Sequence, residues 1–344
     1  MLLIRSNSAP PATRAMRSGP LSHILRWSRK PRSLGSLLLI ALGVSPLFAQ
    51  TAVSRPHVYG IAHVAIYASN FARARTFYKK FLGFDEPFTL KRSDGSDWIA
   101  FMKVNDQQYL EVSSGAPAGD RALGHFALYT DDAAAMRAFL ASRGVRHLGE
   151  LHRGNIGNDF FSLRDPDGHL IEIVQYQPES WTGQDRGAHL SPNRISSHIM
   201  QLGLRVGAPN PTLKFFTELL GFEELSRGTL NGGQAASITL RVPDGTDRIE
   251  LLLYRDLPVT VQQSIQDRIY FERRDVAKAV AELQVRNVFN SMLFPNGIPF
   301  ASNNARQAAL YDPDGTLVEI AEPLLPSSAP IPASAAFTPS PSSK

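Results

Sequence analysis

One eight-residue pattern occurs twice in this chain, and each copy dictates a tight turn feeding a strand. Asp165-Pro166-Asp167-Gly168-His169-Leu170-Ile171-Glu172 is matched by Asp312-Pro313-Asp314-Gly315-Thr316-Leu317-Val318-Glu319, with the glutamate four residues after the turn glycine in both. Proline presets φ, glycine accepts the tight turn, and the aliphatic run that follows has strand propensity. A second pair of stretches repeats in the same way: Phe77-Tyr78-Lys79-Lys80-Phe81-Leu82-Gly83-Phe84 and Phe215-Phe216-Thr217-Glu218-Leu219-Leu220-Gly221-Phe222, their final phenylalanines 138 residues apart. Internal repetition on this scale means that the chain is built from copies of one supersecondary unit.

The unit is strand, helix, three strands. Ile61–Tyr67 reads as a strand, Asn70 caps a helix running to Gly83, and Trp98–Val104 and Tyr109–Val112 are strand-like. Gly124–Tyr129, caps at Thr130 and Asp131, and a helix from Ala133 to Ser142 open a second copy. Gln201–Val206, with a helix starting near Pro211, opens a third, and Arg268–Glu272, with a helix over Val276–Val285, opens a fourth. The copies span about 57–114, 120–177, 196–255 and 266–323, and a polar, Gly/Pro-containing linker over 178–195 divides them into two pairs. Modules this small bury a core only in pairs. The expected fold is α+β: four βαβββ modules paired into two domains, 57–177 and 196–323, of curved mixed sheets with helices outside. The Pro/Ser/Ala-rich tail 324–344 is expected to be disordered.

Charge is distributed unevenly. The first acidic residue is Asp85, whereas the first 49 positions hold seven of the 36 basic residues, followed by the apolar run Leu34–Phe48. That run is shorter than the roughly 20 residues that span a bilayer. We read residues 1–49 as a signal peptide with cleavage after Ala49, giving a secreted or periplasmic protein with no stable membrane span. Met16 is a possible start, and an uncleaved membrane anchor is the alternative. Without the leader, 29 basic residues face 31 acidic ones, a net charge of −2, so nothing suggests a nucleic-acid footprint. The chain has no cysteine, which excludes thiol nucleophiles, disulfides and thiolate metal sites.

Any metal must therefore be held by histidine and carboxylate. Strand side chains alternate faces, so His63, Ala65 and Tyr67 share one face of the first strand, and His125, Ala127 and Tyr129 repeat the pattern in the second module. The last strands add Glu111 and Glu172, 48 and 47 residues after their histidines. Two imidazoles and two carboxylates offered to one cup suit a single divalent ion: Zn, Ni, Mn, Co or Fe(II). Tyr67, Tyr129 and Trp98 are candidates to line the cup against a small-molecule substrate.

In the Ile-Ala-His-Val-Ala-Ile strand around His63, the Phe-Tyr-x-x-x-Leu-Gly-Phe helix end and the two Asp-Pro-Asp-Gly-x-x-x-Glu turns, the chain resembles the vicinal oxygen chelate superfamily, which includes glyoxalase I, bleomycin-resistance proteins and extradiol dioxygenases. The resemblance spans about 57–323 and implies His63, Glu111, His125 and Glu172 as metal ligands. It also implies a metal that binds adjacent substrate oxygens. With Glu111 and Glu172 both present, one carboxylate stays ligated while the other serves as base, as in a glyoxalase-like lyase or isomerase working through an enediolate. An extradiol-type dioxygenase using Fe(II) and a non-catalytic binding protein like those of bleomycin resistance are the alternatives. The second pair of modules departs from the pattern: Gln201 and Arg268 replace the histidines while Glu250 and Glu319 remain. Arginine keeps its proton and is not a metal ligand. Arg268 is expected to pair with Glu250 and Glu319 in a degenerate, structural site, the alternative being an anion pocket using Arg268 and Arg205.

Overall fold

The computed structural model describes residues 53–115, 123–229, 235–254, 267–289, 300–304 and 306–323. The signal peptide and the C-terminal tail expected from sequence lie outside these residues. The first module contains β1 (Gly60–Ala68), α1 (Phe71–Arg75) continuing as a π-helical turn over Thr76–Phe81, β2 (Asp85–Lys91), β3 (Asp97–Lys103) and β4 (Tyr109–Ser114). The second contains β5 (Leu123–Tyr129), α2 (Ala133–Ser142), β6 (His152–Arg153), β7 (Asp159–Arg164) and β8 (Leu170–Gln175). After a short helix α3 (Trp181–Gln184), the order repeats: β9 (Ile199–Val206), α4 (Pro209–Lys214) with a π turn over Phe215–Leu219, β10 (Glu223–Thr229), β11 (Ala235–Arg241) and β12 (Arg248–Leu253). The fourth module holds β13 (Arg268–Glu272), α5 (Val276–Phe289), β14 (Phe300–Asn304), β15 (Gln307–Tyr311) and β16 (Leu317–Ala321).

Each pair of modules forms one eight-stranded mixed sheet, ordered β2-β3-β4-β1-β5-β8-β7-β6 in the first half and β10-β11-β12-β9-β13-β16-β15-β14 in the second. The two opening strands meet antiparallel at the centre, and each is flanked by the parallel closing strand of its own module. That topology is what places a first-strand residue of one module beside a last-strand residue of the other. One face of the first sheet contributes Val64, Ile66, Leu110, Val112, Phe126, Leu128, Ile171 and Ile173 to a core that also takes Phe77, Tyr78 and Phe81 from the first helix and Met136, Phe139 and Leu140 from α2. The same core continues into the second half, where Phe84 and Phe271 pack with ring centroids 5.2 Å apart. Asp132, one residue beyond the expected caps Thr130 and Asp131, caps α2 by accepting from Ala135 N; the Asp131 carboxylate bonds to His57 and Tyr59 instead.

The repeated Asp-Pro-Asp-Gly turns reach across from each half to the other. Asp167 accepts from the Gly207 and Ala208 amides at 2.8 and 3.0 Å and from the Thr212 hydroxyl at 2.5 Å, at the start of α4. Asp314 does the reciprocal job at the start of the first helix, accepting from the Ser69 amide at 3.2 Å and from its hydroxyl. Asp312 accepts from the buried Tyr78 hydroxyl at 2.9 Å. A carboxylate supplied from elsewhere in the chain thus satisfies amides that each helix start leaves open. Asp167→Ala is expected to destabilise the protein by about 1–2 kcal/mol, read as a lower urea midpoint at unchanged slope.

The two halves are joined again at the strand starts. Gln108 donates to Ile199 O at 3.0 Å and accepts from Ile199 N at 2.8 Å, while Asp247 accepts from Ile61 N at 2.8 Å. His198 bridges Asp247 and Glu272, with 2.7 Å contacts at both ring nitrogens. Burial alone would lower the His198 pKa, but the bonds and charges of the two carboxylates outweigh it and hold the imidazole up at about 9. A raised folded-state value means that this stabilisation is complete below the unfolded value of 6.5 and is lost as pH rises through about 9. Melting temperature is expected to fall between about pH 7 and pH 10, and His198→Gln should flatten that slope.

Candidate metal centre

The four central strands of the first sheet, β4-β1-β5-β8, each contribute one polar side chain to the same cup. Cα register pairs Ala65 with both Glu111 and His125, and Ala127 with both His63 and Glu172, so the four functional positions interleave around two alanines. The small side chains leave the space that the four donors fill. His63 Nε2 and His125 Nε2 are 3.0 Å apart. Glu111 Oε1 lies 3.6 Å from His63 Nδ1 and its Oε2 lies 3.8 Å from His125 Nε2; Glu172 Oε2 lies 3.4 and 3.7 Å from the two Nε2 atoms. Ligand atoms of His63, Glu111 and His125 fit within a 4.8 Å span, as three groups sharing one ion require.

The four donors are mostly withdrawn from water, their side chains 9–19 % exposed. His63 as a whole residue is 7 % exposed. Burial pushes the Glu111 carboxyl up. At Glu172 burial acts in the same direction, but the bond and charge of His63 outweigh it and bring the carboxyl below its usual value. Burial and the neighbouring His63 push His125 down to about 4, whereas Glu111 and Glu172 together hold His63 above its ordinary value against the cost of burial.

A cavity of about 390 Å³ opens onto these groups. Leu90, Ile99, Phe101, Ile156, Phe160 and Val174 make its walls largely apolar, and Trp98, 40 % exposed, stands among the lining residues. The segment 178–195 supplies part of the wall through Thr182, which bonds to Asn158 Nδ2 at 2.9 Å. That segment is anchored by Lys103, whose fully buried ammonium donates to Asp185 O at 2.5 Å and Asp185 Oδ2 at 2.8 Å and pairs with Asp106 at 2.9 Å.

The two tyrosines expected to line the cup are placed elsewhere and are not among the cavity's lining residues. Tyr129 packs between Tyr59 and Tyr176, with centroids 5.3 and 5.0 Å away, and Tyr67 packs over Gly124, where an added Cβ would lie 3.0 Å from its ring. Tyr109, Tyr176 and His152 are among the wall residues that escaped the sequence reading. Tyr109, two positions before Glu111 and so on the same strand face, was available from alternation alone. Tyr176 and His152 were not. His152 packs against Phe160 with centroids 4.2 Å apart and the rings tilted by 58°, and its Nδ1 donates to Glu150 O at 2.9 Å.

The second sheet repeats the register with different chemistry. Gly203 pairs with Glu250 and Arg268, and Tyr270 with Gln201 and Glu319, so Gln201, Glu250, Arg268 and Glu319 stand where His63, Glu111, His125 and Glu172 stand in the first half. Arg268 Nη1 donates to Glu319 Oε1 at 2.8 Å, and Gln307 also donates to that carboxylate. Glu250 is held instead by the Tyr270 hydroxyl at 2.7 Å and by Gln201 at 3.2 Å, so the direct ion pair joins Arg268 to one of the two expected carboxylates. A Cβ on Gly203 would come within 2.7 Å of Arg268 Cγ, so the glycine at the place of Ala65 makes room for the longer side chain. Arg205 packs its guanidinium 4.6 Å over Tyr254.

The sequence matches the model of the Glyoxalase/Bleomycin resistance protein/Dioxygenase superfamily over residues 60–173 and again over 196–320. The chain belongs to this superfamily. No curated protein matches it by sequence. Among solved structures, the 2,3-dioxygenase LapB from Pseudomonas sp. KL28 superposes with a TM-score of 0.58 at 17% identity, covering 81% of this chain and 98% of LapB. An extradiol ring-cleaving dioxygenase from B. fuscum gives a TM-score of 0.56 at 14% identity, covering 79% of this chain and 73% of its own. At these identities the likeness is one of fold. It extends over both halves of this superfamily member, and so over the arrangement of four modules.

Proposed function

We propose that this protein is a divalent-metal-dependent enzyme whose first half binds a small, largely apolar molecule through two adjacent oxygens, and that it catalyses a lyase or isomerase reaction by moving a proton on the carbon beside them. The observation that carries this reading is the convergence of two imidazoles and two carboxylates at one end of an apolar cavity. The donor set fits a cation on its own chemistry: among the described residues no lysine or arginine lies within ion-pair distance of Glu111 or Glu172, so the buried carboxylates have only the histidines as partners. His63, His125 and one or both glutamates would hold the ion, which when bound supplies Lewis acidity at the substrate oxygens.

The chain's own residues do the rest. His63 and His125 would ligate as neutral imidazoles, which ties metal uptake to pH. A carboxylate that is not ligated stands within the same cup as a base for an ionisable C–H, and two carboxylates are present where ligation needs one. Burial raises the basicity of Glu111, whereas His63 keeps that of Glu172 low. The likeness to dioxygenases over both halves favours a second reading, ring cleavage with Fe(II), which needs two histidines and one carboxylate.

Metal analysis of protein purified anaerobically, together with two activity readouts, separates these readings. Zn, Ni, Mn or Co with C–H exchange into D₂O on an α-hydroxy carbonyl probe supports proton transfer. Fe(II) with O₂ uptake on catechol supports ring cleavage. A folded protein that neither contains nor takes up metal would sink both and leave a binding protein. We further infer that residues 1–49 direct export, which intact mass of the exported protein checks by a start at Gln50.

A further inference from the structure

A second constellation of charged groups lies outside the metal cup, where β3 meets the 178–195 segment. Lys103 Nζ, on a side chain with no exposed area, donates to Asp185 O at 2.5 Å and to Asp185 Oδ2 at 2.8 Å, and lies 2.9 Å from Asp106 Oδ1. The Asp185 side chain, 9 % exposed, is engaged on both oxygens: the ammonium holds Oδ2, and His189 Nδ1 donates to Oδ1 at 2.5 Å. His189 adopts a left-handed φ of 50° while its ring turns back to Asp185. Asp106 is fixed against the same segment by the Gly187 amide, which donates to its Oδ1 at 2.8 Å, and Arg186 adds a positive charge beside it.

In chemical terms an amine is in contact with a carboxyl group, with a second carboxylate on the nitrogen and an imidazole on the far oxygen. A lysine becomes nucleophilic when its site is desolvated and a neighbouring base takes its proton. Holding the two reacting groups in contact removes the entropy loss that opposes a bimolecular condensation. Burial adds a driving force, because two charges withdrawn from water are costly and an amide carries none. The chain has no cysteine, so no disulfide can tie this segment down.

We propose that Lys103 and Asp185 condense to an intramolecular isopeptide bond, with Asp106 as the base and His189 as the acid. The Nζ–Cγ bond forms and the Cγ–Oδ1 bond breaks. The ammonium gives up two protons, the first to Asp106; two protons reach Oδ1, the last from His189, and that oxygen departs as water. Asp106 and His189 return to their starting states, so an ammonium and a carboxylate become one amide and one water with no oxidant, reductant or cofactor. His189, its side chain 55 % exposed, leads the water toward solvent. The bond joins positions 82 residues apart and ties the cavity wall formed by the 178–195 segment to β3, whatever metal or substrate the cup takes.

Intact mass and peptide mapping of the purified full chain test this. The parent is expected to be lighter by one water than its sequence requires from the N-terminus observed, and digestion is expected to release a branched peptide that joins Lys103 to Asp185. Lys103→Arg is expected at full mass, with the two segments in separate peptides. Asp106→Asn keeps the size of the side chain but removes the base, and it is expected to leave almost all chains unlinked. A folded parent at full mass, or one lighter by a water without the branched peptide, overturns the proposal. Undiminished linkage in folded Asp106→Asn overturns the part assigned to Asp106. The parent's mass and peptides decide the proposal whether or not either variant folds.

Discussion

His125→Ala is expected to abolish metal retention: the parent holds about one equivalent, and the variant binds more weakly by well over the 10–100-fold that loss of a supporting outer-shell group costs. His125 is chosen because it is neutral before metal arrives, at a pKa of about 4, so its removal subtracts a ligand without removing a charge. The metal-free variant should melt somewhat below the metal-free parent, because it loses the contact to His63 and a largely buried ring. Chelator should lower the melting temperature of the loaded parent and leave that of the variant unchanged, since an ion that binds only the native state stabilises it in proportion to its occupancy. Equal metal content in the two proteins would move the site away from the β1/β5 junction.

Arg268→Met is expected to be the most destabilising single change in the second half, at about 3–5 kcal/mol near pH 8, because it strands a carboxylate that is 1 % exposed. Burial pushes Glu319 up to about 6 even with the guanidinium in place, and loss of Arg268 drives it higher. Its unfolded value is 4.5, so the folded variant binds the extra proton and its deficit widens as pH rises through and beyond about 6, narrowing on acidification. Urea unfolding at two pH values measures both the size and the sign. A loss below about 1 kcal/mol at both would mean that Gln307 alone satisfies Glu319 and that the guanidinium contributes little.

Much of the fold was legible because repetition and alternation are local properties. The two Asp-Pro-Asp-Gly turns and the two Leu-Gly-Phe helix ends locate the modules, and a period of two places His63 and Glu111 on the face opposite Val64 and Leu110. Alternation itself holds through β1, where Val64, Ile66 and Ala68 all enter the core and Tyr67 keeps the face of His63 and Ala65. What it could not give is the extra residue in β5: the register passes from His125 to Leu123, and Tyr67 packs over the skipped Gly124. Tyr129 lies at the end of its strand opposite Gly60, where neighbouring tyrosines decide its packing. His152 and Thr182 enter the cavity from the β6 edge and from the 178–195 segment, and only tertiary placement brings them there. A linker read from polar composition is thus a wall of the cavity, held by one buried lysine whose position in β3 carries no outward sign of that task.

The reciprocal aspartates have a consequence for how this molecule could have changed over time. Each half ends in a turn that completes a helix start in the other, and Gln108 reads the backbone of Ile199 as closely as a ladder partner would. A half that lost its own ligands could not simply be shed, because its departure would uncap the half that kept them. The absence of histidines from the second cup therefore carries no pressure toward a shorter gene. It frees that cup to settle on whatever cation is cheapest to maintain, and an arginine carried in the chain never has to be acquired from the surroundings.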